Sequence, residues 1–106
     1  MLVASPSYLE RHGSPDSITA LNGHAGIFYT NRGSGDWSFH GPEGMVSVRG
    51  RPRLRVNNGD MMRDAALAGL GIALLPLFIA GADIRSGRLG IVEIGVQPGP
   101  EFIYLA

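Results

Sequence analysis

The chain has 106 residues with nine acidic and nine basic side chains, so its charge indicates neither a nucleic-acid nor an anionic-membrane partner. Its length allows one domain, and a hydrophobic content of 44% excludes a disordered chain. The absence of cysteine excludes disulfides and thiolate chemistry, and the longest apolar run, residues 72–79, is too short to cross a bilayer. The first residues lack the basic and apolar parts of a signal peptide.

The first quarter of the chain predicts short elements separated by turn residues. Ser5 is a typical helix N-cap, Pro6 suits the first helical position, and Gly13 ends that helix. Aromatic and β-branched residues then indicate a buried strand. The expected elements are a strand at 2–4, a helix at 6–12, a short helix that opens within 14–17 and reaches about 21, and a strand at 25–30.

The middle of the chain predicts a hairpin. Residues 31–36 form a turn-rich loop, and apolar and polar residues then alternate at 37–39 and again at 45–48, around a turn at 41–44. Residues 53–56 give one more strand. Trp37 and Phe39 share one face of the hairpin, which favours core or lobe packing over ligand stacking.

Residues 57–76 are the most informative stretch, because they predict a helix that leads directly into a buried strand. Asn58 or Asp60 can cap the helix, and Gly69 and Gly71 stop it. Residues 72–75 are an unbroken apolar run, which is typical of a strand covered on both faces. The free N–H groups at such a helix start can bind a small polar ligand.

The last third of the chain predicts a helix and two strands. The helix runs from 77 to about 84 and ends at 86–87, the strands lie at 89–94 and 102–105, and a turn occupies 97–100. Helices that alternate with strands indicate an α/β fold whose sheet has parallel members. The chain starts and ends within predicted strands, so we expect it to be cut from a longer protein.

An ordered set of motifs covers nearly the whole chain. It comprises VASPSYLERHGSP at 3–15, LNGH at 21–24, WSF at 37–39 followed by Gly41, VNNGD at 56–60, AALAGLGIALLP at 65–76, SGRL at 86–89 and FIY at 102–104. The first motif fits the pattern ASPxYLxxHGxP. Together the motifs resemble the effector-binding domain of LysR-type transcriptional regulators.

The resemblance implies an α/β fold with a mixed sheet flanked by helices, one lobe of a type 2 periplasmic-binding-protein-like domain. Residues 1–106 then correspond to the second lobe, without the first lobe and the helix-turn-helix. The implied function is sensing of a small polar or carboxylate effector by a cytoplasmic, homo-oligomeric regulator. DNA is then a partner only through the absent helix-turn-helix, no membrane is involved, and no cofactor, metal or catalytic residue is implied.

The resemblance also implies where the effector binds. Second-lobe contacts in the family come from the loop after the strand matching 25–29 and from the start of the helix after Val56. By position, the expected effector-binding residues are Tyr29, Thr30, Asn31, Asn57, Asn58 and Gly59. Hydroxyl, amide and helix N–H groups suit this role on physical grounds. Helix capping is the alternative role of Asn58, and core packing that of Tyr29.

Other patterns give weaker indications. Gly69 and Gly71 do not form a dinucleotide fingerprint, because they close a helix instead of opening one after a strand. Alternating arginines at 49, 51, 53 and 55 share one face of an extended segment, where a solvated edge is favoured over a binding stripe. Histidines at 12, 24 and 40 share no metal-ligand spacing and are interpreted as surface or capping residues.

Two rival functions remain open from the sequence. An extracytoplasmic solute-binding protein shares the implied fold, and an export signal upstream would mark it. An enzyme is less favoured, because the sequence contains no nucleophile elbow or other catalytic constellation.

Overall fold

A computed structural model of the chain describes residues 1–29, 36–41, 44–94 and 97–98. The strands are β1 (Leu2–Ala4), β2 (Ala25–Tyr29), β3 (Asp36–Gly41), β4 (Gly44–Arg49), β5 (Arg51–Val56), β6 (Ile72–Leu74), β7 (Gly90–Val92) and β8 (Gln97–Pro98). The helices are α1 (Pro6–His12), α2 (Ile18–Leu21), α3 (Gly59–Leu67) and α4 (Leu77–Arg85). The strand predicted at 102–105 lies outside the described residues.

The main sheet is mixed, with the strand order β5-β2-β6-β1-β7. Strands β5, β2 and β6 are parallel, whereas β1 is antiparallel to both β6 and β7. Helix α3 connects β5 to the parallel strand β6, as crossover helices do in α/β folds. The predicted α/β class with parallel members is therefore confirmed.

The predicted hairpin is present, in a second sheet with the order β4-β3-β8. Its strands pair from Asp36 with Arg49 to Gly41 with Gly44. The prediction of a turn starting at Gln97 is wrong, because β8 pairs with β3 through Phe39 and Pro98. Proline is compatible with this position because β8 lies at the edge of the described sheet.

Side-chain caps set the starts of the first three helices. The Ser5 Oγ accepts a hydrogen bond from the backbone N–H of Tyr8 at 3.1 Å, and the Ser17 Oγ accepts one from Ala20 at 3.0 Å. The Asn58 Oδ1 accepts the N–H of Met61 at 2.8 Å, which identifies Asn58 as the cap of α3.

The two glycines after α3 have different roles. Gly69 has a φ of +80° and ends the helix as predicted. Gly71 does not have a positive φ, so the prediction that it also stops the helix is wrong. A Cβ at position 71 would lie 2.6 Å from the Ala25 carbonyl oxygen, so this glycine lets the chain approach β2 closely.

The core lies on both faces of the main sheet, as predicted for a strand covered on both sides. Neighbouring residues of β6 show the arrangement, because Ile72 belongs to one apolar cluster and Ala73 to the other, and both are inaccessible to solvent. Trp37 and Phe39 are buried in the first cluster, where the Trp37 ring packs 4.9 Å from that of Phe28. The expectation of core packing for these two aromatic residues is confirmed.

Candidate functional site

The parallel strands β2 and β5 end side by side. Tyr29 and Val56, the last residues of the two strands, are register partners. Carboxyl ends of parallel strands lie at one edge of a sheet, and ligands of α/β proteins bind at that edge. The chain leaves β2 and β5 at this edge, which we call the carboxyl edge.

Only part of the expected effector-binding set can be placed. Asn57 and Asn58 follow β5 at the carboxyl edge and are exposed, whereas Gly59 is buried at the first position of α3. Thr30, Asn31 and the side chain of Tyr29 lie outside the described residues. The contact of Tyr29, Thr30, Asn31, Asn57, Asn58 and Gly59 with an effector therefore stays a prediction.

Asn58 has the geometry of a residue that can cap a helix and also contact a ligand. Its backbone is extended, with φ −151° and ψ 159°, and its side-chain oxygen accepts the Met61 N–H. The cap uses only the carbonyl oxygen of the amide, so the two N–H bonds of the same group are not needed for it. Asn58 can thus donate hydrogen bonds toward an acceptor in front of α3.

A second helix also starts at the carboxyl edge. β6 lies beside β2 in the parallel part of the sheet, and α4 follows it after Leu75 and Pro76. Pro76 is the N-cap residue of α4, and it provides no side-chain hydrogen bond to the first turn. Two helix N-termini therefore face the same edge, and each presents backbone N–H groups that favour a negative charge.

The opposite end of the same strands holds a cluster that the sequence did not reveal. The Tyr8 hydroxyl lies 2.7 Å from the His24 Nδ1, and the Tyr8 ring lies 4.7 Å from the ring of His12. Arg51, the first residue of β5, lines the same cavity. His24 is half-buried and paired with Tyr8, a contact that its interpretation as a surface or capping residue does not include, whereas His12 is exposed as expected.

Burial and nearby positive charge shift the pKa values of Tyr8 and His24 in this cluster. Burial raises the pKa of Tyr8, against the opposing effects of a hydrogen bond from the Ala25 backbone and the charge of Arg51. Burial also lowers the pKa of His24, and the positive charges of His12 and Arg51 lower it further. The surroundings of His24 thus disfavour its protonated form.

The arginines expected on one face lie on two strands. Arg49 ends β4 in the hairpin sheet, and Gly50 separates it from β5 at the edge of the main sheet. The prediction of a single four-arginine face is therefore wrong. Arg51, Arg53 and Arg55 are exposed along the edge strand, which fits the expected solvated edge.

The described residues contain no group of three or more His, Asp or Glu side chains arranged to hold a metal ion. None of the described helices combines the length and apolarity needed to cross a membrane. The side chain of His40 lies outside the described residues.

Known proteins are similar to the chain in both sequence and fold. The LysR substrate binding domain model matches residues 1–106. The HTH-type transcriptional regulator CrgA of Neisseria meningitidis serogroup C is 35% identical over 89 residues, which are 83% of this chain and 29% of the relative. The HTH-type transcriptional activator AaeR of Escherichia coli K12 is 31% identical over 106 residues, which are 98% of this chain and 34% of the relative.

Solved structures agree with these matches. The CrgA regulatory domain from Neisseria meningitidis superposes with a TM-score of 0.76 at 32% identity, over 93% of this chain and 48% of that one. Full-length AphB, a Vibrio cholerae virulence activator, superposes with a TM-score of 0.79 at 27% identity, over 93% of this chain and 34% of that one. The chain thus spans about a third of these regulators and about half of a regulatory domain.

Proposed function

The chain belongs to the LysR substrate-binding domain family, and we propose that it is the effector-sensing module of a LysR-type transcriptional regulator. In this proposal, residues 1–106 are the second lobe of a two-lobed domain, and the first lobe and the helix-turn-helix belong to the remainder of a longer protein. The effector binds between the lobes. The second lobe itself contacts no DNA.

The proposal rests on the arrangement of strand ends and amide side chains at the carboxyl edge. β2 and β5 end together there, and the exposed Asn57 and Asn58 lead directly into the first turn of α3. Amide donors in front of a helix N-terminus are suited to a carboxylate or another small polar acceptor. The uncapped start of α4 adds further N–H donors at the same edge.

The proposed ligand is therefore a small polar or carboxylate effector, contacted by Asn57, Asn58, Gly59 and the residues that continue from β2, namely Tyr29, Thr30 and Asn31. An effector with different affinity for two arrangements of the lobes, or of the subunits, shifts the population of DNA-bound states. We propose that the protein acts in the cytoplasm as a homo-oligomer and performs no catalysis.

A lobe of an extracytoplasmic solute-binding protein is the alternative, and the relatives do not favour it. Both curated relatives described above carry the name of a transcriptional regulator or activator. The helix-turn-helix expected upstream of this segment in the gene distinguishes the two functions. A signal peptide in that place would contradict a role in transcription.

Substitution at the carboxyl edge tests the effector site in the full-length regulator. Small carboxylates and polar metabolites are first screened for compounds that change operator binding. We expect Thr30→Ala and Asn58→Ala each to weaken the response to such a compound about tenfold, because each removes a ligand hydrogen bond of about 1.4 kcal/mol. Operator affinity without effector, measured by fluorescence anisotropy, is expected to remain unchanged.

Removal of a second helix cap, in α2, distinguishes the loss of a ligand contact from the loss of helix stability. Asn58→Ala removes the α3 cap at a cost of about 1 kcal/mol, and Ser17→Ala removes the equivalent cap of α2. We expect Ser17→Ala to leave the effector response unchanged. An equal loss of effector response in both cap variants, or a parallel loss of operator binding, would point to misfolding and contradict the proposed site.

A further inference from the structure

A solvent-open surface cavity of about 280 Å³ lies away from the carboxyl edge, at the amino ends of β2 and β5. Ala25 and Tyr29, the two ends of β2, are separated by about 13 Å at the usual rise of a strand. The cavity is therefore distinct from the proposed effector site. Its lining comprises Tyr8, His12, Ala20, Asn22, Gly23, His24 and Arg51.

Tyr8 and His24 are the packed polar groups of this cavity. Tyr8 is only 2% exposed, and the centroid of its ring lies 4.7 Å from that of His12 and 5.9 Å from that of His24. The 2.7 Å hydrogen bond between the Tyr8 hydroxyl and the His24 Nδ1 sets the orientation of the imidazole. The Nε2 of His24 is not used in this bond and can serve a ligand.

The lining of this cavity contains groups that can carry positive charge and no group that carries negative charge. The titratable lining residues are Tyr8 and His12 of α1, His24 before β2, and Arg51 at the start of β5. The other lining residues carry no titratable group, so the lining contains no acidic side chain. Arg51 has no ion pair within the part of the chain that the structure describes. A guanidinium beside two imidazoles, without a carboxylate, is the donor set that binds an oxyanion.

We propose that this cavity is a second ligand site, which binds a small oxyanion between the guanidinium of Arg51 and the imidazoles of His12 and His24. The shared chemistry is a carboxylate or a tetrahedral sulfate-like group, and either one can accept hydrogen bonds from the guanidinium fork. The inference rests on the geometry of this cavity and is independent of the proposed function of the carboxyl edge.

Binding at this site depends on pH, and the sign follows from the environment of His24. Burial and the charges of His12 and Arg51 lower the pKa of His24 in the folded protein. Protonation of His24 is therefore disfavoured, and the protein loses stability as the pH falls below about 6.5. A bound anion places a negative charge near His24, which stabilises the protonated imidazole and raises its pKa. Proton uptake then accompanies anion binding, and affinity increases as the pH falls from 8 to 6.

The test is a titration of the 106-residue chain followed by NMR of the histidine rings. Sodium sulfate and sodium acetate are compared with sodium chloride at equal ionic strength, at pH 6 and at pH 8. We expect saturable shifts of the His12 and His24 ring signals with sulfate or acetate, at least about tenfold tighter at pH 6. The anion that saturates at the lower concentration identifies the preferred class.

Paired variants on β5 decide whether the site is specific. Arg51→Gln is expected to weaken binding at least about tenfold, whereas Arg53→Gln, an exposed arginine of the same strand outside the cavity, leaves it unchanged. His12→Gln provides a second variant at an exposed position, with the same expected loss as Arg51→Gln. Shifts no larger than those with chloride, or equal effects of Arg51→Gln and Arg53→Gln, would overturn the proposal.

Discussion

Gly71 is the residue at which a single added methyl group has the clearest expected effect. Its Cβ would lie 2.6 Å from the carbonyl oxygen of Ala25, and that backbone oxygen cannot move to another rotamer. We expect Gly71→Ala to force β6 away from β2 and to lower the free energy of unfolding by about 1–3 kcal/mol. Urea unfolding followed by the fluorescence of Trp37, the single tryptophan, measures this loss.

Gly90 is the matched control for Gly71. It also lies in the main sheet, but a Cβ there would meet the end of the Leu9 side chain at 3.3 Å, and that side chain can rotate. We expect Gly90→Ala to change the free energy of unfolding by less than about 1 kcal/mol, because the reduced freedom of the unfolded chain offsets the crowding. A loss of unfolding free energy in Gly71→Ala as small as that in Gly90→Ala would show that β6 and β2 tolerate separation.

The sequence predicts functional residues only where their geometry is local. The sequence predicts Asn58 or Asp60 as the cap of α3, because a cap and its helix are adjacent in the chain, and the structure confirms Asn58 in that role. Tyr8 and His24 form a close pair across 16 positions, which depends on how α1 packs beside the start of β2. No periodicity links these two residues, so the sequence did not reveal their cluster.

At the scale of elements, an ion-pair network joins α3 to the end of α4. The Asp83 carboxylate lies 3.8 Å from the Arg63 Nε and 3.4 Å from the Arg88 Nε, and its side chain is only 11% exposed. An acidic side chain near a helix C-terminus is unfavourable by itself, so these pairs offset both the dipole and the burial. We expect Asp83→Asn to lower the free energy of unfolding by about 1 kcal/mol.

Asp64 forms an exposed ion pair that can be compared with the pairs of the buried Asp83. It lies 3.4 Å from the Arg63 Nη2, but its side chain is 68% exposed, so solvent screens the pair. We expect Asp64→Asn to change the free energy of unfolding by less than about 0.5 kcal/mol. Urea unfolding at low and high salt measures both variants, and equal effects at low salt would mean that burial of Asp83 adds nothing to its pairs.

Element types follow from the sequence more readily than element partners. The hairpin was predicted correctly from the alternation around Trp37, yet its separation from the main sheet was not. Gly50 breaks the extended run between Arg49 and Arg51, and this break assigns the two arginines to different sheets. The sequence predicts a turn at 97–100 because this stretch is rich in proline and glycine, and only the pairing of β8 with β3 shows that Gln97 and Pro98 form a strand.

At the scale of the whole molecule, the described edges of the main sheet differ in their protection. β5 forms one edge and exposes the arginines and Pro52, which oppose pairing with another strand. β7 forms the other edge, and Ile91 there is 41% exposed. On the proposal that the chain is the second lobe of a two-lobed, homo-oligomeric regulator, the first lobe and its surfaces for subunit association lie outside these 106 residues.

We therefore expect the 106-residue chain to self-associate only weakly, and to do so through β7. Sedimentation velocity over a concentration series measures this association, and a tight dimer at low micromolar concentration would contradict the prediction. Ile91→Lys is expected to reduce the association by placing a charge on β7, an edge strand among the described strands of the main sheet. Leu54→Lys replaces a similarly exposed residue of β5, 37% exposed, and is expected to have no effect, because the arginines already protect that edge. An equal reduction by both substitutions would mean that general charge, and not the β7 edge, controls the association.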